Sequence, residues 1–265
     1  MQISSPQNTR IKQLIQLQTK SRLRKKLEQF SVEGIQENNY ALQAGYKPVA
    51  FFVFDLDSQE FELPKQAEVF TLTQELYQKI SVRKSTEGIV GVYQKKSQNL
   101  EDLYSLENSG CFLVLEGLEK PGNLGAILRT ALAVGVKGIL LCQNQIDPFN
   151  PNVIRSSVGT VFKLPIFELS NPEALAFLQK RKAKIYSTYL SDQTINLYHI
   201  NFEKTVAFVF GSESNGISSF WVENADVLIK IPMEPNQDSL NLSNAVAVTA
   251  YEYYRQNLSL GEDLL

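Results

Sequence analysis

Residues 110–142 read GCFLVLEGLEKPGNLGAILRTALAVGVKGILLC, and the order of patterns within them decides the fold. CFLVLEG is an apolar run of strand length, and Pro121 and Gly122 then make a turn. NLGAILRTALAVG places small and apolar residues at helical spacing, and GILLC is a second short apolar run. Strand, helix and strand in this compass make a βαβ unit. The alternation continues through NPNVIRSSVG, KIYSTYL and TVAFVFG, which predicts an α/β domain with a mostly parallel sheet covered on both faces. In open sheets of this kind ligands bind beyond the carboxyl ends of the strands. Three segments follow predicted strands there: PGNLGAILR, GSESNG at 211–216, and IPMEPNQDSLNLS at 231–243.

Toward the N-terminus the pattern changes. NTRIKQLIQLQTK has Ile11, Leu14, Ile15 and Leu17 at helical period, with Pro6 and Asn8 suited to its start. NNYALQAG predicts a helix ending at Gly45, and VAFFVFD, EVFTLT and GIVGVYQ predict strands. Residues 1–95 thus form a small α/β unit. The polar stretch 96–109 is the expected linker, residues 110–257 the second domain and 258–265 a tail.

Composition bounds the function. The chain has 265 residues, 43% apolar and 20% charged, enough for one large domain or two smaller ones. AFVF and GILLC fall far short of the roughly 20 residues that cross a bilayer, and MQISSPQNTR carries no signal-peptide apolar region, so a cytoplasmic location without membrane contact is expected. Cys111 and Cys142 sit in strand-like runs and are expected as reduced core residues. His199 is the single histidine; with no HExxH or CxxC pattern beside it, no metal is expected. No GxSxG elbow supports a hydrolase built from Ser239 or Ser243 with His199. The net charge is −2, yet the segment Arg10–Lys26 gathers Arg10, Lys12, Lys20, Arg22, Arg24, Lys25 and Lys26. Such a run suits either a solvated helix face or contact with phosphates.

Gly211 and Gly216 have P-loop spacing, but Ile217 stands where the phosphate-binding Lys would be, and the GxGxxG dinucleotide pattern is absent. Asn123 is a good N-cap for the helix that follows it, and Arg129 is the one cation of an apolar helix. Glu213 on its tight turn could hold an Arg by a bidentate bond or accept from a substrate hydroxyl. Ser239 or Asn241 is expected to cap the last helix.

NLGAILRTA, FGSESNGIS and IPM…SLNLSNAVAV, in this order and spacing, resemble the three motifs of the SpoU (TrmH-like) RNA methyltransferases of the SPOUT superfamily. SSPQNTRIKQL…RLRKKLEQFSVEG similarly resembles the small RNA-binding domain that often precedes the SpoU domain and is related to a ribosomal-protein fold. The resemblance implies a deep trefoil knot, an exception to the usual unthreaded connections. It implies S-adenosylmethionine bound by the knot loops through Phe210, Gly211, Gly216, Ile231, Met233 and Leu240, without a metal. It implies methyl transfer to a ribose 2′-hydroxyl of structured RNA, ribosomal RNA before transfer RNA, by a homodimer, and with an RNA substrate implied the basic segment Arg10–Lys26 is expected to contact its phosphates. Its functional residues match Asn123, Arg129, Glu213, Ser239 and Asn241. Arg129 would clamp the substrate, Asn123 and Glu213 would orient it, and Ser239 with Asn241 would build the cofactor side. On a pKa argument Arg129 positions rather than deprotonates. The competing reading is an RNA-binding or assembly factor that keeps the fold without turnover.

Overall fold

The computed structural model describes residues 2–56, 61–82, 87–96, 100–191, 193–236 and 239–258, so the expected tail lies outside the described residues from Ser259 onward. The chain divides into two compact units, residues 1–97 with 147–163, and residues 98–146 with 164–265.

The first unit runs β1 (Gln2–Ile3), α1 (Thr9–Thr19), α2 (Ser21–Leu27), β2 (Gln29–Glu33), α3 (Ile35–Gln43), β3 (Pro48–Val53), β4 (Glu68–Leu72), α4 (Gln74–Ile80) and β5 (Ile89–Gln94). The expected helices and strands are all present. Asn8 caps α1 through its side chain, and the apolar stripe Ile11, Leu14 and Leu17 is buried. The sheet order is β1-β4-β3-β5-β2. β5 pairs antiparallel with both β2 and β3, so the sheet is mixed.

The second unit begins with α5 (Leu100–Tyr104), a short helix inside the expected linker, where Leu103 is fully buried. β6 (Gly110–Glu116), α6 (Pro121–Ala133) and β7 (Gly138–Cys142) follow as the sequence predicts. α7 (Pro151–Ser156) belongs to the first unit, although its sequence reads as part of the βα alternation. The reason lies in contacts distant in sequence. Phe149 stacks on Phe30 with centroids 4.4 Å apart, Phe162 packs beside them, and Asp147 accepts from Arg24 Nε at 2.6 Å.

β8 (Ile166–Leu169), α8 (Asn171–Lys180), β9 (Lys184–Thr188), β10 (Ile195–Asn196), β11 (Thr205–Phe210), α9 (Ser219–Glu223), β12 (Val227–Lys230) and α10 (Leu242–Asn257) complete the second unit. Its sheet runs β10-β12-β9-β11-β6-β7-β8, with every pair parallel. β7 is buried along its whole length, as a parallel strand covered on both faces should be. Phe112, Phe177 and Trp221 fill one side of the sheet, and Tyr186, Phe202, Phe208 and Tyr253 interlock elsewhere in the unit. Cys111 and Cys142 are free and buried, and burial pushes both thiols up.

From β6 the chain builds outward to β7 and β8, crosses to β9 on the other side, and later inserts β11 between β9 and β6. This reversal is a topological switch point, where loops leave adjacent strands in opposite directions and open a crevice.

Candidate active site

The crevice is a pocket of about 460 Å³, within the range of small-molecule sites. Its walls come from loops after β6, β9, β11 and β12 and from the start of α10. Leu190, Phe210, Ile229, Ile231, Met233 and Leu240 supply apolar surface. Gly211, Glu213, Gly216, Ser239 and Asn241 also line it, so nearly all the residues singled out by sequence meet there. Asn123 and Arg129 are outside the lining set.

The turn after β11 explains its glycines. Ser212 and Gly216 exchange backbone hydrogen bonds of 3.2 and 3.0 Å, closing a five-residue turn. Gly216 has φ +66, the left-handed region that glycine enters without strain. A Cβ on Gly211 would lie within 2.2 Å of three backbone atoms of Gly216 and Ile217. The close approach that Gly211 permits is therefore to the chain's own returning peptide. That turn presents Glu213 to the pocket.

Glu213 is the centre of a polar node. Its Oε1 accepts from Asn123 Nδ2 at 2.8 Å and from Asn241 Nδ2 at 2.9 Å, and its Oε2 pairs with Lys120. Asn241 also donates to Asn123 Oδ1 at 3.3 Å. The hydrogen bond from Lys120, followed by that from Asn123, holds the Glu213 carboxyl below its ordinary pKa. Glu213 thus meets a lysine and two amides in place of the arginine its turn position suggested.

Asn241 is the N-cap of α10, its Oδ1 accepting from Ser243 N at 3.0 Å and Ser243 Oγ at 2.6 Å. Both ends of one amide are thereby committed, one to the helix and one to Glu213. Asn123 is not the cap of α6. Pro121 opens that helix with Lys120 at the N-cap position, because proline's fixed φ suits the first helical residue. Asn123 lies within the first turn, and its amide is free to reach Glu213. Arg129 is exposed on α6, and its side chain makes no hydrogen bond or ion pair among the described residues. His199 is exposed in a short 3-10 helix, away from the pocket walls.

Sequence reasoning missed Lys120, Thr188, Tyr189 and Leu190, which also line the pocket. KIYSTYL reads as one strand, but β9 ends at Thr188 and leaves Tyr189 and Leu190 in the following loop. The carboxyl-end rule, applied to this strand as well, would have found them.

The donor set fits a nucleoside cofactor. Met233 and Leu240 line the pocket, and no backbone group of either is hydrogen-bonded to another backbone group among the described residues, leaving donors and acceptors for a purine edge. The apolar walls suit a flat ring. Among the described residues no three His, Cys, Asp or Glu side chains are placed to hold a metal ion, and no helix is long and apolar enough to cross a membrane.

Of the basic N-terminal run, Arg24 faces inward at 1% exposure, paired with Asp147, while Arg10 pairs with Glu68 at 3.0 Å. Lys12, Lys20, Arg22, Lys25 and Lys26 remain exposed.

Comparison with known proteins joins these observations. The chain is 41% identical over 145 residues to an uncharacterized tRNA/rRNA methyltransferase of Synechocystis, the match covering 54% of this chain and 53% of that protein. The chain therefore matches about half the length of that relative. It is 32% identical over 207 residues to the 23S rRNA (guanosine-2′-O-)-methyltransferase RlmB of Xylella fastidiosa, covering 76% of this chain and 83% of that one. An rRNA methyltransferase from Sinorhizobium meliloti, solved with AdoMet bound, superimposes with a TM-score of 0.88 at 26% identity, over 98% of this chain and 99% of that one. Residues 8–91 match the MRM3-like substrate binding domain. Residues 110–251 match the SpoU rRNA Methylase family, and the chain belongs to that family.

Proposed function

We propose that this protein transfers a methyl group from S-adenosylmethionine to a ribose 2′-hydroxyl of RNA, with ribosomal RNA as its substrate in the cytoplasm. The observation that carries this reading is the convergence of Asn123, Glu213 and Asn241, from three distant segments, into one hydrogen-bonded node beside a nucleoside-sized pocket. The likeness to RlmB, whose name specifies 23S rRNA, favours ribosomal over transfer RNA.

Bound S-adenosylmethionine supplies a methyl group activated by its sulfonium. Phe210, Gly211, Ile231, Met233 and Leu240 would hold its nucleoside part, chiefly by apolar contact and backbone groups, with Gly216 setting the turn. The chain has to place the 2′-oxygen in line with the methyl carbon and ease departure of its proton. Glu213, already committed to Lys120, Asn123 and Asn241, acts as the fixed point that orients these groups. Asn123, held by Glu213, orients the ribose, and Ser239 with Asn241 builds the cofactor side. Arg129 clamps a phosphate or ribose oxygen, a role its planar fork of donors suits.

A second copy of the chain completes this site. In support, Arg129 is exposed, unpaired among the described residues and absent from the pocket wall of its own chain. A homodimer in which Arg129 meets the partner's pocket accounts for that position.

Transfer of labelled methyl to ribosomal and transfer RNA from cells lacking the enzyme tests the assignment. Label in ribosomal RNA alone is expected, lost in Arg129→Ala. Label only in transfer RNA would reassign the substrate, and cofactor binding without transfer to either would indicate a binding factor that keeps the fold.

A further inference from the structure

We infer that Lys120 is a substrate-contacting residue, whose ammonium holds a backbone phosphate of the RNA at the mouth of the pocket. This rests on the RNA-methylation reading above.

Two lysines, Lys120 and Lys230, line the pocket, and among the described residues only Lys120 touches the polar node. Its side chain is 64% exposed, whereas that of Glu213 is 26% exposed. The ammonium has three donors, and the carboxylate occupies one side of it, so the others face solvent where the substrate must arrive. Glu213 also fixes the far end of a long, flexible side chain before any substrate is present, which lowers the ordering cost of binding.

Charge gives the second argument. Glu119 accepts from Ser214 Oγ at 3.0 Å and stands next to Lys120 in the chain, while Glu213 lies one residue before Ser214. Without Lys120 this rim carries two carboxylates and no cation among its hydrogen-bonded groups, a field that repels a polyanion. With it, the net charge of these groups falls from −2 to −1, and the exposed ammonium gives a phosphate one cation to meet beside the node's amides. Arg129 cannot serve this purpose within the same chain, since it neither lines the pocket nor joins the node.

A phosphate contact has a signature that structural support lacks. Each phosphate neutralised by a protein cation adds about 0.7–0.9 to the slope of log affinity against log salt. The test uses the full chain, wild type beside Lys120→Ala, Lys120→Gln and Lys120→Arg. It reads kcat/KM for ribosomal RNA across a salt series, with S-adenosylmethionine affinity measured by calorimetry. The Ala and Gln variants are expected to lose activity at low salt by roughly tenfold and to flatten the slope by about 0.7–0.9. Arg is expected to restore the slope, and cofactor affinity to fall by less than activity in the Ala and Gln variants. An unchanged slope in both neutral variants overturns the inference, as does a cofactor affinity that falls in proportion to activity. Wild-type protein that methylates no RNA overturns the functional reading instead.

Discussion

A Cβ placed on Gly211 would stand 1.9 Å from the carbonyl carbon of Gly216, so the turn that presents Glu213 closes only because residue 211 has no side chain. Gly211→Ala should displace the turn and weaken S-adenosylmethionine binding by at least about tenfold, or about 1.4 kcal/mol. Gly216→Ala meets no neighbour within 4 Å and bears only the strain of its positive φ, about 1–2 kcal/mol. Calorimetric titration with cofactor and thermal melting of both variants check the ranking. Equal cofactor affinity in Gly211→Ala and wild type would contradict it.

Asn241 uses its Oδ1 on Ser243 and its Nδ2 on Glu213, which makes aspartate an informative replacement. Asn241→Asp keeps a good N-cap for α10 but sets a carboxylate against Glu213. Methyl transfer should fall by about 100-fold or more, because a charge-assisted bond of about 1.5–3 kcal/mol becomes a repulsion, while the melting temperature changes little. A double-mutant cycle between Asn123→Ala and Glu213→Gln should show coupling of about 0.5–3 kcal/mol in kcat/KM. Additive losses would mean that Asn123 and Glu213 act separately.

The pH response of the node follows from Glu213. Its pKa in the folded protein lies below the ordinary value, first through the hydrogen bond from Lys120. The stabilisation is therefore complete above the unfolded pKa of about 4.3 and is lost as pH falls through the folded value beneath it. Cofactor affinity measured by calorimetry should stay level from neutral pH down to about 5 and decline only below about 4.3. Glu213→Gln should remove that acid limb.

In the first unit, Arg24 and Asp147 have side chains 2% and 1% exposed and meet at 2.6 Å. Burial raises the Asp147 pKa, but the Arg24 hydrogen bond and the charges of Lys95 and Arg24 outweigh it, and the net direction is down. Arg24→Met removes the shorter of the buried carboxylate's ion pairs, leaving Lys95 Nζ at 3.2 Å, and should cost about 3 kcal/mol in urea unfolding. Arg24→Met with Asp147→Asn should recover most of that loss, since replacing both charges is far milder than removing one. In wild type the pair's contribution is present above about pH 3.9 and is lost as pH falls through the lower folded pKa.

Much of the architecture was legible because its signals are local. The apolar runs that became β6, β7 and β11 are short and bounded by turn residues, and the stripe of Ile11, Leu14 and Leu17 has only one helical face. The placement of residues 147–163 was not legible. It depends on Phe149 meeting Phe30 and on Asp147 meeting Arg24, partners more than a hundred residues away that no local period encodes. The same holds at the site. Gly211, Glu213 and Asn241 were readable as turn and cap residues, but the cap of α6 was misread because Pro121 starts the helix two residues before Asn123. Lys120 passed unnoticed because its meaning lies in Glu213, which reaches it only through the fold.

The central claim concerns where the methyl group goes. Ribosomal RNA from cells lacking the enzyme, treated with the protein and S-adenosylmethionine and digested to nucleosides, can be resolved by mass spectrometry, with alkaline hydrolysis as a second reading. The account predicts a single 2′-O-methylated nucleoside and one alkali-resistant linkage, both absent with Glu213→Gln or Arg129→Ala. A methyl group on a base, with every linkage still cleaved by alkali, would contradict it.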